Sequence, residues 1–246
     1  MIRFIICVIV VIFDFIIMIP IEIIGFLLGL ISVRAKNAYM KFMMMVIFST
    51  INFLSGAKVR YIGSEKIPAD TAVLYVANHE SFFDILLTLV RLPGYVCFIA
   101  KKAFAKIPIF TQALMLYNTL FIDRDDIRQG LATILKAISN VKEGMSVFIF
   151  PEGTRSRDGK MNEFKEGSLK IATKSGCPIV PIAITNTAQV FEKHFPRLEA
   201  TPVVIEFLDP IYPSDFDSKE QKHLGKLCKD RIEEARDRNY KEYCAS

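Results

Sequence analysis

Residues 4–33 form a nearly unbroken apolar run, interrupted by Asp14, Pro20 and Glu22. A stretch this apolar has to be buried in protein or in lipid. As one straight helix it would be about 45 Å long, against a hydrocarbon core of about 30 Å. Such a helix tilts, kinks at Pro20 or enters a membrane at an angle. The run lacks the shorter apolar core and small-residue cleavage site of a signal peptide. Asp14 and Glu22 fall within roughly 80° of each other around a helix, so both can face water, headgroups or a second helix. A second apolar stretch, residues 42–54, is short for a full crossing. Arg34, Lys36 and Lys41 lie between the two and favour the cytoplasmic side of a cell membrane. The expectation is one crossing plus an interfacial helix, or a helical hairpin embedded in one leaflet, with the rest of the chain on the cytoplasmic face.

The chain is 52% hydrophobic, and the excess sits before Gly56. This divides it into a membrane-anchoring helical segment, 1–56, and a globular domain, 57–246. The net charge of +5 suits an anionic membrane surface or an acidic carrier. The basic residues form no long block with interleaved aromatics, which argues against nucleic acid as a partner. The five cysteines contain no C-x-x-C pair, so they read as reduced thiols without a disulfide framework or zinc site.

Beyond the anchor, β-rich runs recur at residues 59–63, 72–77, 95–100, 119–122, 146–150, 179–185 and 203–207. Helical stretches fall at 82–91, 109–117, 126–141 and 163–175. This alternation predicts an α/β fold, with a mixed, mostly parallel sheet flanked by helices. The tail, 215–243, is charged and mostly helical and reads as a solvated face.

In open α/β sheets, sites gather beyond the carboxyl ends of strands. That rule selects Asn78 to Asp84, then Asp123 and Arg124, then Pro151 to Ser156. His79 can take a proton from a hydroxyl near neutral pH, and Asp84 is close enough to hold its other ring nitrogen. Ser81-x-x-Asp84 is equally a capping-box signature, and the spacing alone leaves both readings open. Arg124 and Arg155 can each fork onto a phosphate. Gly153 lets backbone approach a ligand, and Thr154 and Ser156 offer hydroxyls. Lys101 and Lys102 follow another strand and can meet a developing oxyanion or carrier phosphates. Ser81 and Cys97 sit in no nucleophile elbow and read as structural.

Together these residues resemble the glycerolipid acyltransferase family, and within it the 1-acyl-sn-glycerol-3-phosphate (lysophosphatidate) acyltransferases. Four motif blocks match in order: Asn78-His79 through Asp84 for the catalytic H-x-x-x-x-D, then Phe121 to Arg124, then Phe150 to Ser156, then Val180 to Ile184 with Pro181. Thr111-Gln112 stands where relatives often carry Gly with an aromatic. The resemblance implies that His79 is the base and Asp84 steadies it. It implies that Arg124, Glu152, Gly153, Thr154, Arg155 and Pro181 meet the acceptor, and that Lys101 or Lys102 serves the oxyanion. The implied partners are a lysophospholipid acceptor, an acyl-CoA or acyl-carrier-protein donor and membrane lipids, with no metal or tightly bound cofactor. The acceptor alternatives are glycerol-3-phosphate, another lysophospholipid or a lyso-amino-acid lipid. Two other classes compete: a non-catalytic phospholipid-binding membrane protein, and a metal-dependent hydrolase using His79, Glu80, Asp84 and Glu152.

Overall fold

A computed structural model describes residues 1–107, 109–123 and 125–245. Two long antiparallel helices open the chain, α1 (Ile2–Ile31) and α2 (Val33–Ser55). Helix α1 continues through Pro20. The turn between the helices is a single residue: Ser32 is extended, ends α1 and caps α2, its Oγ accepting from the Ala35 N–H at 3.3 Å. Gly56, at φ 76°, stops α2 in the left-handed conformation that glycine adopts without strain. Helix α2 is therefore longer than the apolar run 42–54 predicts. Arg34, Lys36 and Lys41 lie inside it, and two of them are held by the body: Lys36 Nζ donates to Asn118 Oδ1 at 2.9 Å, and Lys41 Nζ to the carbonyl oxygens of Leu92 and Gly94.

All seven expected strands form: β1 (Lys58–Ile62), β2 (Leu74–Ala77), β3 (Val96–Lys101), β4 (Leu120–Ile122), β5 (Ser146–Ile149), β6 (Ile179–Thr185) and β7 (Pro202–Phe207). They make one sheet in the order β1-β7-β6-β2-β5-β3-β4. Neighbours are parallel except β6 and β7, so the sheet is mixed and mostly parallel, as expected. The helices are α3 (Phe83–Leu89), α4 (Phe110–Leu116), α5 (Ile127–Lys142), α6 (Glu166–Ser175) and α7 (Leu224–Asn239).

Alternation along the strands builds two cores. Leu74 and Val76 of β2 pack with Ala137 of α5, Leu169 of α6 and Ile232 of α7. Tyr75 and Ala77 face the other way, toward Phe83 and Leu87 of α3 and toward Phe48 and Ile51 of α2. The hairpin thus covers part of one sheet face while Ile9, Ile12, Phe13, Ile16, Phe26 and Leu30 of α1 stay exposed. The charged residues of the tail form a solvated face, as expected, and the opposite face of its helix is buried. Leu224, Cys228, Ile232 and Ala235 of α7 are buried, an apolar stripe at helical spacing that closes the second core.

Candidate active site

After β2 the chain leaves the sheet at Asn78, and that side chain completes a ladder the backbone has abandoned. Asn78 Nδ2 donates to Ile184 O at 2.8 Å, and Asn78 Oδ1 accepts from Ile184 N at 2.8 Å. His79 follows at the carboxyl end of β2, which lies between β5 and β6 in the sheet. Its imidazole stacks on Phe150 at the end of β5, with ring centroids 4.0 Å apart and planes 13° from parallel. The residues after β5 hold its backbone: Glu152 Oε1 accepts from His79 N at 2.7 Å, and Ser156 donates to His79 O through its N–H at 2.8 Å and its hydroxyl at 3.0 Å.

Asp84 stands in the first turn of α3 and is fully buried. Its Oδ2 lies 2.7 Å from His79 Nδ1, and the same oxygen accepts from the N–H groups of Glu80 at 2.7 Å and Ser81 at 2.9 Å. Thr187 Oγ1 donates to Asp84 Oδ1 at 2.5 Å. Apart from the histidine, three donors already surround the carboxyl group, which suits an acceptor-only carboxylate; beside it Nδ1 carries the imidazole proton and Nε2 is left as an acceptor. Among the described residues Nε2 has no protein partner, and the His79 side chain is 22% exposed. The two sequence readings of Asp84 are compatible, since one oxygen both caps the helix and orients the histidine.

Glu80 looks away from the histidine. Its Oε1 accepts from Thr187 N at 3.0 Å and lies 3.1 Å from Thr187 Oγ1, whose single proton goes to Asp84. Burial and the neighbouring Asp84 charge push its carboxyl group up to about 7. Glu152 is buried as well, and its Oε2 accepts from the backbone and side-chain N–H groups of Asn162 at 2.8 and 3.1 Å. Burial raises the pKa of Glu152. Among the described residues no three His, Cys, Asp or Glu side chains are placed to hold a metal ion.

The remaining expected site residues are spread along the carboxyl edge. Gly153 makes the turn after β5 at φ 76°, a conformation a side chain would strain, and Thr154 is exposed. Arg155 pairs with Glu192, Nη1 to Oε1 at 3.0 Å, and its guanidinium carbon lies 3.8 Å from the centre of the Phe82 ring. Lys101 ends β3 and is exposed, while Lys102 pairs with Asp123 at 3.0 Å. Arg124 lies outside the described residues, as does Pro108 of the β3–α4 connection. Pro181 is buried inside β6, opposite Val76 of β2. Its carbonyl accepts from Leu208 N at 2.9 Å, and lacking an N–H it ends the β6–β7 ladder there.

Two participants are absent from the sequence reading. Thr187 bridges Asp84 and Glu80, and the carboxyl-end rule applied to β6 would have selected it. Glu192 accepts from Ser81 Oγ at 2.7 Å, Phe82 N at 2.8 Å and Arg155. Nothing local in the sequence marks Glu192, because its partners are more than 30 residues away.

Comparison with known proteins shows the family and the fold. A family model described as Acyltransferase matches residues 58–185, from β1 to the end of β6. A 1-acyl-sn-glycerol-3-phosphate acyltransferase of Borreliella burgdorferi is 33% identical over 180 residues, covering 73% of this chain and 72% of the relative. A protein of the same name from Cocos nucifera is 32% identical over 176 residues, 71% of this chain and 56% of its own length. The crystal structure of the 1-acyl-sn-glycerophosphate (LPA) acyltransferase PlsC from Thermotoga maritima superposes with a TM-score of 0.72 at 26% identity, covering 89% of this chain and 95% of that one. Since the family's domain runs across half the chain on a shared fold, and a third of the aligned residues are identical to the bacterial relative, the chain belongs to the acyltransferase family.

Proposed function

We propose that the protein transfers a fatty acyl group from a thioester, acyl-CoA or acyl carrier protein, to the sn-2 hydroxyl of lysophosphatidate, giving phosphatidate and a free thiol. The observation that carries this reading is the 2.7 Å bond between His79 Nδ1 and buried Asp84, with Nε2 left without a partner among the described residues. The activity named for the similar bacterial and plant proteins supports it. His79 Nε2 takes the hydroxyl proton while the oxygen attacks the thioester carbonyl carbon, and Asp84 stabilises the imidazolium. The tetrahedral oxyanion meets Lys101, Lys102 or backbone N–H groups. The C–S bond then breaks, and the proton passes from Nε2 to the departing thiolate.

The carboxyl edge suits a substrate with separated functional groups. In the order β2-β5-β3-β4 it presents His79, then the 151–156 loop, then Lys101, then Asp123, across about 14 Å at ordinary strand spacing. Arg124 and Arg155, with Gly153 and Thr154, receive the acceptor phosphate. Glu152 and Pro181 act by positioning, since both are buried.

Residues 1–56 anchor the catalytic unit, 57–246, in one leaflet of the cell membrane. Exposed isoleucines and phenylalanines of α1 supply the lipid-facing surface. The turn end of the hairpin is tied to the body through Lys36 and Lys41, which supports a re-entrant anchor over two crossings. The cytoplasmic leaflet fits the excess of basic residues.

The test is acyl transfer by the purified protein in mixed micelles, with lysophosphatidate and either donor, beside His79→Ala. Wild type should form phosphatidate, and the folded variant should be slower by about 10²- to 10⁴-fold. Near-wild-type turnover in the variant removes His79 as base. Wild-type turnover only on a different lysolipid or on glycerol-3-phosphate would correct the acceptor and leave the chemistry standing.

A further inference from the structure

Glu80 and Ser156, one adjacent in sequence to His79 and the other hydrogen-bonded to it, also line a cavity of about 330 Å³. That volume is at the lower end of the range for small-molecule sites. Other parts of the lining come from the end of α7 and the residues just after it, a region outside all four sequence motifs. Four cationic residues line the cavity, Arg157, Lys193, Arg236 and Lys241, against the carboxyl groups of Glu80 and Asp237. The Arg236 side chain is only 15% exposed, and its nearest carboxylate, Asp237, is 3.8 Å away, beyond hydrogen-bond reach. Among the described residues its guanidinium makes no hydrogen bond, although it carries five N–H donors. Its nitrogens keep contact with solvent, so its N–H donors can turn to an anion entering the cavity without breaking a protein hydrogen bond. Lys193 is held at the rim by the Arg157 carbonyl, 3.1 Å from Nζ.

We propose that this cavity binds a phosphate group of a substrate, with Arg236 as the principal contact and Arg157, Lys193 and Lys241 completing a cationic shell. A guanidinium forks onto phosphate oxygens, and several cations around one small volume favour an anion with more than one charge. The two sources of that phosphate are the pantetheine or nucleotide part of the donor, which leaves the acceptor phosphate on Arg124 and Arg155, and the headgroup of the lysolipid, which would move it from them to this cavity. Naming these sources rests on the acyl-transfer reading; the charge of the ligand does not.

The test uses the full-length protein in detergent micelles. In the first arm, inorganic pyrophosphate is titrated calorimetrically into wild type, Arg236→Gln and the double variant Lys193→Gln/Lys241→Gln. Both lysines are exposed, so the double variant keeps the fold even if Arg236→Gln does not. Wild type should bind, and each variant should bind at least about tenfold more weakly, the loss expected for a charge-assisted hydrogen bond. Equal affinity in the three proteins, or no binding by wild type, overturns the proposal. In the second arm, KM is measured for each substrate. A rise confined to the thioester assigns the site to the donor, a rise confined to lysophosphatidate assigns it to the headgroup, and unchanged values for both overturn it. Absence of turnover in wild type would count against the acyl-transfer reading alone, because the titration still decides the cavity.

Discussion

The main-chain N–H of His79 donates to Glu152 Oε1 at 2.7 Å, joining the loop after β2 to the loop after β5 at the centre of the sheet. The other oxygen of Glu152 holds Asn162, so one buried carboxylate sets both the histidine's backbone and the fold of the 151–162 segment.

Replacing that carboxylate tests positioning against substrate contact. In Glu152→Gln the amide presents an N–H₂ to at least one N–H donor, His79 or Asn162, that it cannot satisfy. The expected loss is about 1.5–3 kcal/mol of stability, the magnitude for hydrogen bonds to a charged group. kcat should fall with KM for the lysolipid unchanged, as for a group acting through His79. Thermal melts and initial rates check it, and a raised KM at unchanged kcat would instead put Glu152 on the substrate.

Glu80 makes stability depend on pH. Its carboxyl group is raised from 4.5 to about 7 in the folded state, so the folded protein binds that proton more tightly than the unfolded chain. The resulting stabilisation is complete below about 4.5 and disappears as pH rises through about 7. Thermal midpoints of wild type and Glu80→Gln, measured from pH 4.5 to 8, should diverge. The wild-type curve should carry an extra decline across that window that the variant lacks. Parallel curves would show that Glu80 does not titrate there.

Arg155 is paired with Glu192 and stacked on Phe82, so a substrate phosphate has to share a guanidinium that is already oriented. Arg155→Ala should raise KM for lysophosphatidate about tenfold with a smaller change in kcat, as for binding that is uniform between ground and transition states. Glu192→Gln should lower thermal stability, since the carboxylate also accepts from Ser81 and Phe82. Saturation curves unchanged in Arg155→Ala would exclude that arginine from phosphate binding.

The hairpin turn provides a topology test. Ser32 lies one helical turn from Lys36, whose ammonium is bonded to Asn118 of the body. In sealed vesicles with the body outside, a Ser32→Cys variant should react with a membrane-impermeant maleimide, with the native cysteines replaced. Protection of that thiol until the vesicles are opened would mean that the hairpin crosses the bilayer.

Strand positions, the polar segments at strand ends and the apolar leading helix are legible in the sequence because each depends on local chemistry. Short continuous apolar runs rich in β-branched residues, such as 72–77 and 179–185, suit strands buried on both faces, and polar residues straight after them mark the carboxyl edge. The length of α2 and the burial of the apolar stripe of α7 are not legible from charge. Lys36 and Lys41 find oxygen partners on the body, and the stripe from Leu224 to Ala235 finds a sheet face, neither of which composition reveals. Which strands are neighbours was likewise beyond the sequence. The crossovers that place β5 and β6 on either side of β2 bring Glu152, Ser156 and Thr187 to His79 and Asp84 from 70 or more residues away. The sequence by itself determined which residues could do the chemistry; only the tertiary structure decided which carboxylate orients the histidine and which ones hold the loops, because all are carboxylates and only packing tells their surroundings apart.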